Sequence, residues 1–227
     1  MLKDYPKLER TIFEGREQEN PLINWWLFLV LVVGLSFIIV GLVIYLIIIY
    51  QRIERRDKHF ARMGELFRTS LRTTEEVAKA KGIDIYSQKS EIEEKIKVAE
   101  DSLLRPKNAV LWTVLMVLTG GLVAFYVYYF LLVDWYRIQR LEQDIMDDFS
   151  DLWTQLDIVK DPIPVSLRVP ERSYWAYLGL SIITLGIWLF YWDYVTHTEP
   201  DHVFPENRSW EDKILSSFRE PEGAKAA

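Results

Sequence analysis

Residues 25–50 have the sequence WWLFLVLVVGLSFIIVGLVIYLIIIY, which contains no charged side chain. Two more uncharged runs follow it, AVLWTVLMVLTGGLVAFYVYYFLLV at 109–133 and YWAYLGLSIITLGIWLFYW within 173–194. A helix of about 20 apolar residues crosses the hydrocarbon core of a bilayer, whereas open strands would leave unpaired backbone groups in lipid. The sequence therefore predicts an all-α integral membrane protein with three transmembrane helices, at 25–50, 109–133 and 173–194.

The overall composition narrows the classes of function. The chain has 227 residues, of which 50% are hydrophobic and 26% charged, and the charges lie outside the three runs apart from one residue at the edge of the third. There is no cysteine, which excludes disulfides, zinc–thiolate sites and iron–sulfur clusters. A net charge of -6 without a strongly basic segment gives no indication of a nucleic-acid partner.

The basic residues of the four polar segments predict an orientation. Segments 51–108 and 195–227 together contain 18 Lys and Arg, against 9 in segments 1–24 and 134–172. Cytoplasmic loops of membrane proteins are enriched in these residues. We therefore expect a multi-pass protein of a cell membrane with its N-terminus outside and its C-terminus in the cytoplasm. The basic cluster beside the first run comprises Arg52, Arg55, Arg56, Lys58 and Arg62.

The polar segments contain helical patterns of their own. In 51–108, apolar residues recur at helical spacing on both sides of Gly82, which predicts a cytoplasmic hairpin of two antiparallel helices, 51–81 and 87–104, packed as a coiled coil. Segment 134–172 predicts an amphipathic helix ending near Asp157, followed by a Pro-rich connection. The tail 195–227 predicts a short amphipathic helix from Ser209. The residues expected to pack the hairpin are Phe60, Phe67, Leu71, Ile92, Ile96 and Leu103.

Small residues within the three runs predict helix packing. Glycine lets helices approach closely in a membrane, where packing depends on shape. Besides the lipid bilayer, the helices could contact one another within the chain, other membrane protein subunits, or a second copy of the chain. The candidate packing residues are Gly34, Gly41, Gly120, Gly121, Gly179 and Gly186.

Two pairs of segments are similar to each other. YQRIERRDKHF at 50–60 and WYRIQRLEQDI at 135–145 share an aromatic-x-Arg-Ile-x-Arg pattern, and Ser36 and Gly41 repeat as Ser181 and Gly186. The similarity fits an old duplication. It also fits the ordinary composition of a helix leaving a bilayer, which is the explanation we favour.

The segment LSIITLGIWLFYWDY at 180–194 resembles small prokaryotic membrane proteins of unknown function, whose signature is TLGIY followed by YW. Thr184, Leu185, Gly186 and Ile187 match it, and Trp188 replaces the tyrosine. The resemblance implies a membrane protein and implies no chemistry.

Candidate catalytic groups are few. The uncharged runs offer no proton or ion relay, so the sequence predicts a non-enzymatic structural or accessory subunit of a membrane assembly, without a cofactor. An oligomeric small-solute transporter or channel component is the alternative. The run HTEPDH at 197–202 could bind a divalent metal together with His59, but its spacing favours a solvated connection and makes a metalloenzyme the least favoured class.

Overall fold

The computed structural model describes residues 4–18, 23–35 and 39–219. Within these ranges it contains eight helices and no strand, so the all-α prediction is confirmed. No helix in the described residues combines the length and apolar character needed to cross a membrane. The helices are α1 Tyr5–Gln18, α2 Trp25–Leu35, α3 Ile39–Lys81, α4 Tyr86–Asp101, α5 Ala109–Leu118, α6 Ala124–Gln155, α7 Tyr174–Ile183 and α8 Ile187–Phe218.

The run at 109–133 forms a helical hairpin instead of the continuous helix that its hydropathy predicts. Helix α5 ends at Leu118, and α6 begins at Ala124. Gly120 and Gly121 between them have φ values of 60° and 91°, a left-handed backbone that glycine adopts without steric cost. The chain reverses there, because the ring centroids of Trp112 and Phe130 lie 6.0 Å apart across the two helices.

The run within 173–194 folds back in the same way. Leu185 and Gly186 have φ values of 51° and 91° between α7 and α8. Tyr177 then packs against Trp192, with ring centroids 5.7 Å apart. The predicted third continuous helix is therefore also two antiparallel helices.

The run at 25–50 contributes to α2 and α3, which pack against each other. Residues 28 and 52 would lie about 36 Å apart in one straight helix, yet the Arg52 guanidinium carbon is 5.2 Å from the centre of the Phe28 ring. Trp25, Phe28 and Ile48 share one buried cluster. Helices α2 and α3 are therefore antiparallel. We call these three pairs, α2 with 39–50, α5 with 124–133 and α7 with 187–192, the apolar hairpins.

The long helices α3, α6 and α8 run parallel to one another. Contacting positions rise together in residue number along each pair, which requires a common direction. All three apolar hairpins therefore project from the same end of the bundle. The contacts are Arg52 with Asp193 and Arg62 with Glu211 between α3 and α8, and Tyr45 with Tyr128 and Thr74 with Trp153 between α3 and α6.

Four segments of the described chain form one structure, which we call the polar body: residues 4–18, 51–108, 134–172 and 195–219. Its largest apolar core includes residues of all four segments. Core members include Leu8, Ile12, Phe67, Leu71, Ile92, Ile96, Phe149, Trp153, Trp210 and Ile214.

The helical hairpin predicted in 51–108 is present but belongs to this larger core. Gly82, with φ of 66°, separates α3 from α4, and Lys89 lies 2.9 Å from Glu75 across the two helices. Five of the six predicted packing residues are buried, and Leu103 is partly buried against Phe60 and its neighbours. Helices α1, α6 and α8 cover the same stripes, so the packing is not that of a two-stranded coiled coil.

The remaining boundaries follow local backbone geometry. Helix α6 ends at Gln155, and Asp157 has φ of 50°, close to the predicted end. Helix α8 continues through Pro200, Pro205 and Ser209 to Phe218, so the helix predicted from Ser209 is the last part of a longer one.

We predict that Phe67→Asp destabilises the polar body by more than about 3 kcal/mol, because it removes a buried ring and buries an unpaired carboxylate. Thermal unfolding followed by circular dichroism in mild detergent measures the effect. Tyr86→Asp is the control, since Tyr86 is 78% exposed in the first turn of α4. Equal melting temperatures for the two variants would contradict the packing.

Candidate functional site

A layer of buried charged residues lies where the apolar hairpins meet the polar body. Asp193, near the start of α8, accepts hydrogen bonds from both terminal nitrogens of Arg52, at 2.6 and 3.1 Å. The same carboxylate accepts a bond from Trp25 Nε1 at 3.2 Å and one from the Tyr128 hydroxyl. Trp25 belongs to the first apolar hairpin, Tyr128 to the second and Asp193 lies just after the third. One carboxylate therefore joins all three.

His197 extends this contact by one helical turn. Its Nδ1 lies 3.0 Å from an Arg52 nitrogen, and its Nε2 lies 2.8 Å from the Ile23 carbonyl. Since Arg52 can only donate and the carbonyl can only accept, the imidazole is neutral with its proton on Nε2. Burial and the Arg52 charge both lower the pKa of His197, which agrees with that state.

Arg56 forms a second contact on the next turn of α3. Its Nε donates to Asp134 at 2.7 Å, and a terminal nitrogen donates to the Leu103 carbonyl at 2.9 Å. Asp57 beside it accepts from the backbone N–H of Lys107 at 2.9 Å. Arg56 and Asp57 therefore fix α6 and the start of the second apolar hairpin to α3.

Deeper in the polar body the ionisable groups are fully enclosed. Arg62 donates to Glu211 at 2.6 Å, and Asn207 donates to Glu142 at 3.1 Å. His59 lies between them, with its Nε2 3.4 Å from Glu142, a separation too long for a good hydrogen bond. Burial first, and then the charges of Arg62 and Arg55, hold the pKa of His59 well below its usual value.

These residues are suited to holding helices together. Each of Arg52, Arg56 and Arg62 donates to an acidic side chain, and the described residues contain no cluster of three potential metal ligands. Within HTEPDH, His197 and Glu199 are buried in α8, so the predicted solvated connection is wrong for these two. Glu199 accepts from Arg172 at 2.6 Å. His59 lies in a separate group.

The predicted packing glycines occupy three kinds of position. Gly120, Gly121 and Gly186 form the left-handed turns at the tips of the apolar hairpins. A methyl group placed on Gly34 or Gly179 would meet no other atom within 4 Å, so these helices leave open space beside them. Gly41 is buried in α3. Packing of Gly34 and Gly179 against another chain stays a prediction. Ser36 of the proposed internal repeat lies outside the described residues.

A different repeat relates the second and third apolar hairpins. Asn108 and Ser173 each cap a helix by accepting from the N–H three residues later. Thr119 and Thr184 each donate to the carbonyl four residues earlier and accept from the N–H four residues later. Gly121 completes the first turn as Gly186 completes the second, with the same φ of 91°. The two members of each pair, Asn108 and Ser173, Thr119 and Thr184, and Gly121 and Gly186, are separated by the same number of residues. This constant separation is the signal for the repeat in the sequence.

The buried layer itself was missed at the sequence level. Asp134 and Asp193 stand at the edges of apolar runs, where contact with water is the ordinary expectation. Arg52 and Arg56 resemble any basic cluster beside a membrane segment. Their pairing depends on long-range contacts, and only the helical spacing of Arg52, Arg56 and His59 on one side of α3 indicated a shared face.

The fold and this layer define an all-helical protein with three apolar hairpins. A family described as a domain of unknown function (DUF4234) matches residues 172–215, from the connection before α7 to the last turns of α8. The matched part includes Thr184, Gly186 and Asp193. No curated protein and no solved structure matches the chain.

We predict that Asp193→Asn lowers the free energy of unfolding by about 3–5 kcal/mol, because it leaves the buried Arg52 without its counter-charge. The control is Glu171→Gln, which removes the partner of Arg140; both side chains of that pair are more than half exposed, so its loss costs less than about 1 kcal/mol. Chemical denaturation in mild detergent compares them. Asp193→Asn with the stability of the control would show that this ion pair is dispensable.

We predict that acidification destabilises the fold through His59. The unfolded chain protonates this residue near pH 6.5, whereas the folded protein keeps it neutral to lower pH. The unfolded state therefore binds more protons, and the free energy of unfolding falls by up to about 2 kcal/mol between about pH 7 and pH 5. His59→Gln should flatten this slope. His202→Gln, at an exposed position of α8, is the control. An unchanged slope in His59→Gln would contradict a neutral His59.

Proposed function

We propose that the chain is a membrane-bound, non-enzymatic structural or accessory subunit of a membrane protein assembly. The observation that supports this most is the exposed surface of the apolar hairpins. Large apolar side chains cover it, including Trp26, Val30, Val110, Val117, Leu118, Trp175, Ile182, Ile183 and Leu185, each at least 59% exposed. Contiguous apolar surface of this kind marks a membrane or protein contact.

The distribution of charge at the base of the apolar hairpins also supports a structural role. Arg52 and Arg56, which follow the first apolar hairpin along α3, are paired inside the fold. Their partners, Asp193 and Asp134, are buried with them. A fixed, neutralised layer of this kind sets the orientation of the hairpins relative to the polar body. It leaves the hairpin surfaces as the part of the molecule available to lipid and to neighbouring subunits.

The local sequence resemblance points the same way. The segment that resembles the TLGIY signature of small prokaryotic membrane proteins is the tip of the third apolar hairpin. Thr184 and Gly186 make its turn, so the signature residues have a structural role at an apolar tip.

We predict that Gly179→Leu disrupts assembly with partner subunits while leaving the fold intact. Leucine favours helix and finds open space at this position, whereas a neighbouring helix packed closely against Gly179 would be displaced. Native size and copurifying subunits, compared after extraction in mild detergent, measure the loss. Ile183→Leu is the control, because that exposed position already holds a large aliphatic side chain.

A liposome flux assay on the purified chain tests the alternative of a small-solute transporter or channel component. A partner-free chain that moves solutes by itself would refute the accessory-subunit proposal. Equal assembly of wild type and Gly179→Leu would refute the predicted contact at α7.

A further inference from the structure

The apolar hairpins have the dimensions of one leaflet. Helices α2, α5 and α7 contain 11, 10 and 10 residues, so each is about 15 Å long. The hydrocarbon core of a bilayer is about 30 Å thick. A helix of this length reaches only the middle of the membrane, and the helix that follows it brings the chain back to the same side.

The two described tips are built to lie in lipid. Every backbone N–H from Thr119 to Ala124 and from Thr184 to Leu189 donates a hydrogen bond inside the chain. The two threonine hydroxyls donate to carbonyls of the preceding helix. A turn in water has no need of such complete pairing, whereas hydrocarbon requires it. Leu185 at the third tip is nonetheless 95% exposed.

Aromatic residues mark the other boundary of the apolar layer. Trp26 and Trp175, at the first turns of α2 and α7, are 67% and 76% exposed. Tyr194 lies against Trp25 near this level, with ring centroids 4.9 Å apart. The most exposed residues of the two described tips, Leu118, Leu122 and Leu185, are aliphatic, while Phe125 and Tyr126 in the first turn of α6 are exposed to a smaller extent. This order, aromatic at the base and aliphatic at the tip, is that of a segment entering lipid from a headgroup region.

The apolar core that all four polar segments share determines whether they lie on one side of the membrane or on both. Residues of 4–18 and 134–172 pack with residues of 51–108 and 195–219. Segments in one apolar core cannot lie on opposite faces of a bilayer.

From these four observations, and resting on the membrane location in the proposed function, we propose that the three apolar hairpins enter one leaflet from the same side and contact its acyl chains. The polar body then lies entirely on that side. The polar segments carry all 27 Lys and Arg of the chain, and segments rich in these residues stay in the cytoplasm, so we place the polar body on the cytoplasmic side, in place of the arrangement with the N-terminus outside.

Single cysteines test this arrangement, because the natural chain has none. Arg10→Cys, Ser90→Cys, Ser166→Cys and Ser216→Cys each lie at an exposed position in a different polar segment. A membrane-impermeant maleimide should label none of them in intact cells and all four after lysis. Labelling of Arg10→Cys and Ser166→Cys from outside, with the other two protected, would overturn the proposal, as would labelling of all four from outside.

Depth within the membrane is tested separately. A fluorophore on Leu185→Cys in reconstituted vesicles should be quenched most by lipids with a nitroxide near the end of the acyl chain. The same fluorophore on Tyr86→Cys, in the polar body, is the control. Quenching of Leu185→Cys no greater than that of the control would overturn insertion.

The outcomes separate the two proposals. One-sided labelling with deep quenching but without any copurifying subunit upholds this inference and removes the accessory-subunit role. Alternating labelling in a chain that does copurify with membrane subunits does the reverse. Recovery of the chain in the soluble fraction of lysed cells would overturn both.

Discussion

The bidentate ion pair between Arg52 and Asp193 holds the first and third apolar hairpins together at the level where apolar and polar parts meet. Its stability depends on this pairing, because a buried charge without a partner is strongly destabilising. Trp25, Tyr128 and His197 add further hydrogen bonds to the pair, and Tyr128 brings in the second apolar hairpin. The parallel order of α3, α6 and α8 brings these groups to one level. The hairpin orientation therefore follows from pairing one buried carboxylate with one buried guanidinium.

The buried layer also shows that the basic residues after the first apolar run have a structural role inside the fold. As a sequence, the cluster from Arg52 to Arg62 resembles the flank of a transmembrane helix. In the fold, its four arginines are buried or nearly so and face acids far away in the chain. Lys58 alone is exposed. A count of Lys and Arg treats paired and free charges alike. It therefore placed alternate polar segments on opposite sides of a membrane, although all four share one core.

The hairpin tips show how hydropathy and helix geometry differ. An apolar run long enough to cross a bilayer is also long enough to reverse halfway. Gly121 and Gly186 permit the left-handed turn, and Thr119 and Thr184 satisfy the backbone that the turn frees. Glycine is common in membrane helices, and the sequence alone predicts a packing role for it. The recurrence of Thr two residues before Gly, with a capping residue at the same distance upstream, distinguishes the two roles.

The sequence by itself determined the helical class, the apolar runs, the antiparallel pair around Gly82 and the end of α6, because each depends on periodicity or on a local backbone preference. It also determined most of the hairpin's buried residues, Phe67 and Ile92 among them, since the apolar side of an amphipathic helix is buried whatever covers it. Only the tertiary structure decided that α1, α6 and α8 cover these stripes, that His197 is buried and that Asp193 meets Arg52. Those contacts join residues distant along the chain, and no local pattern specifies them.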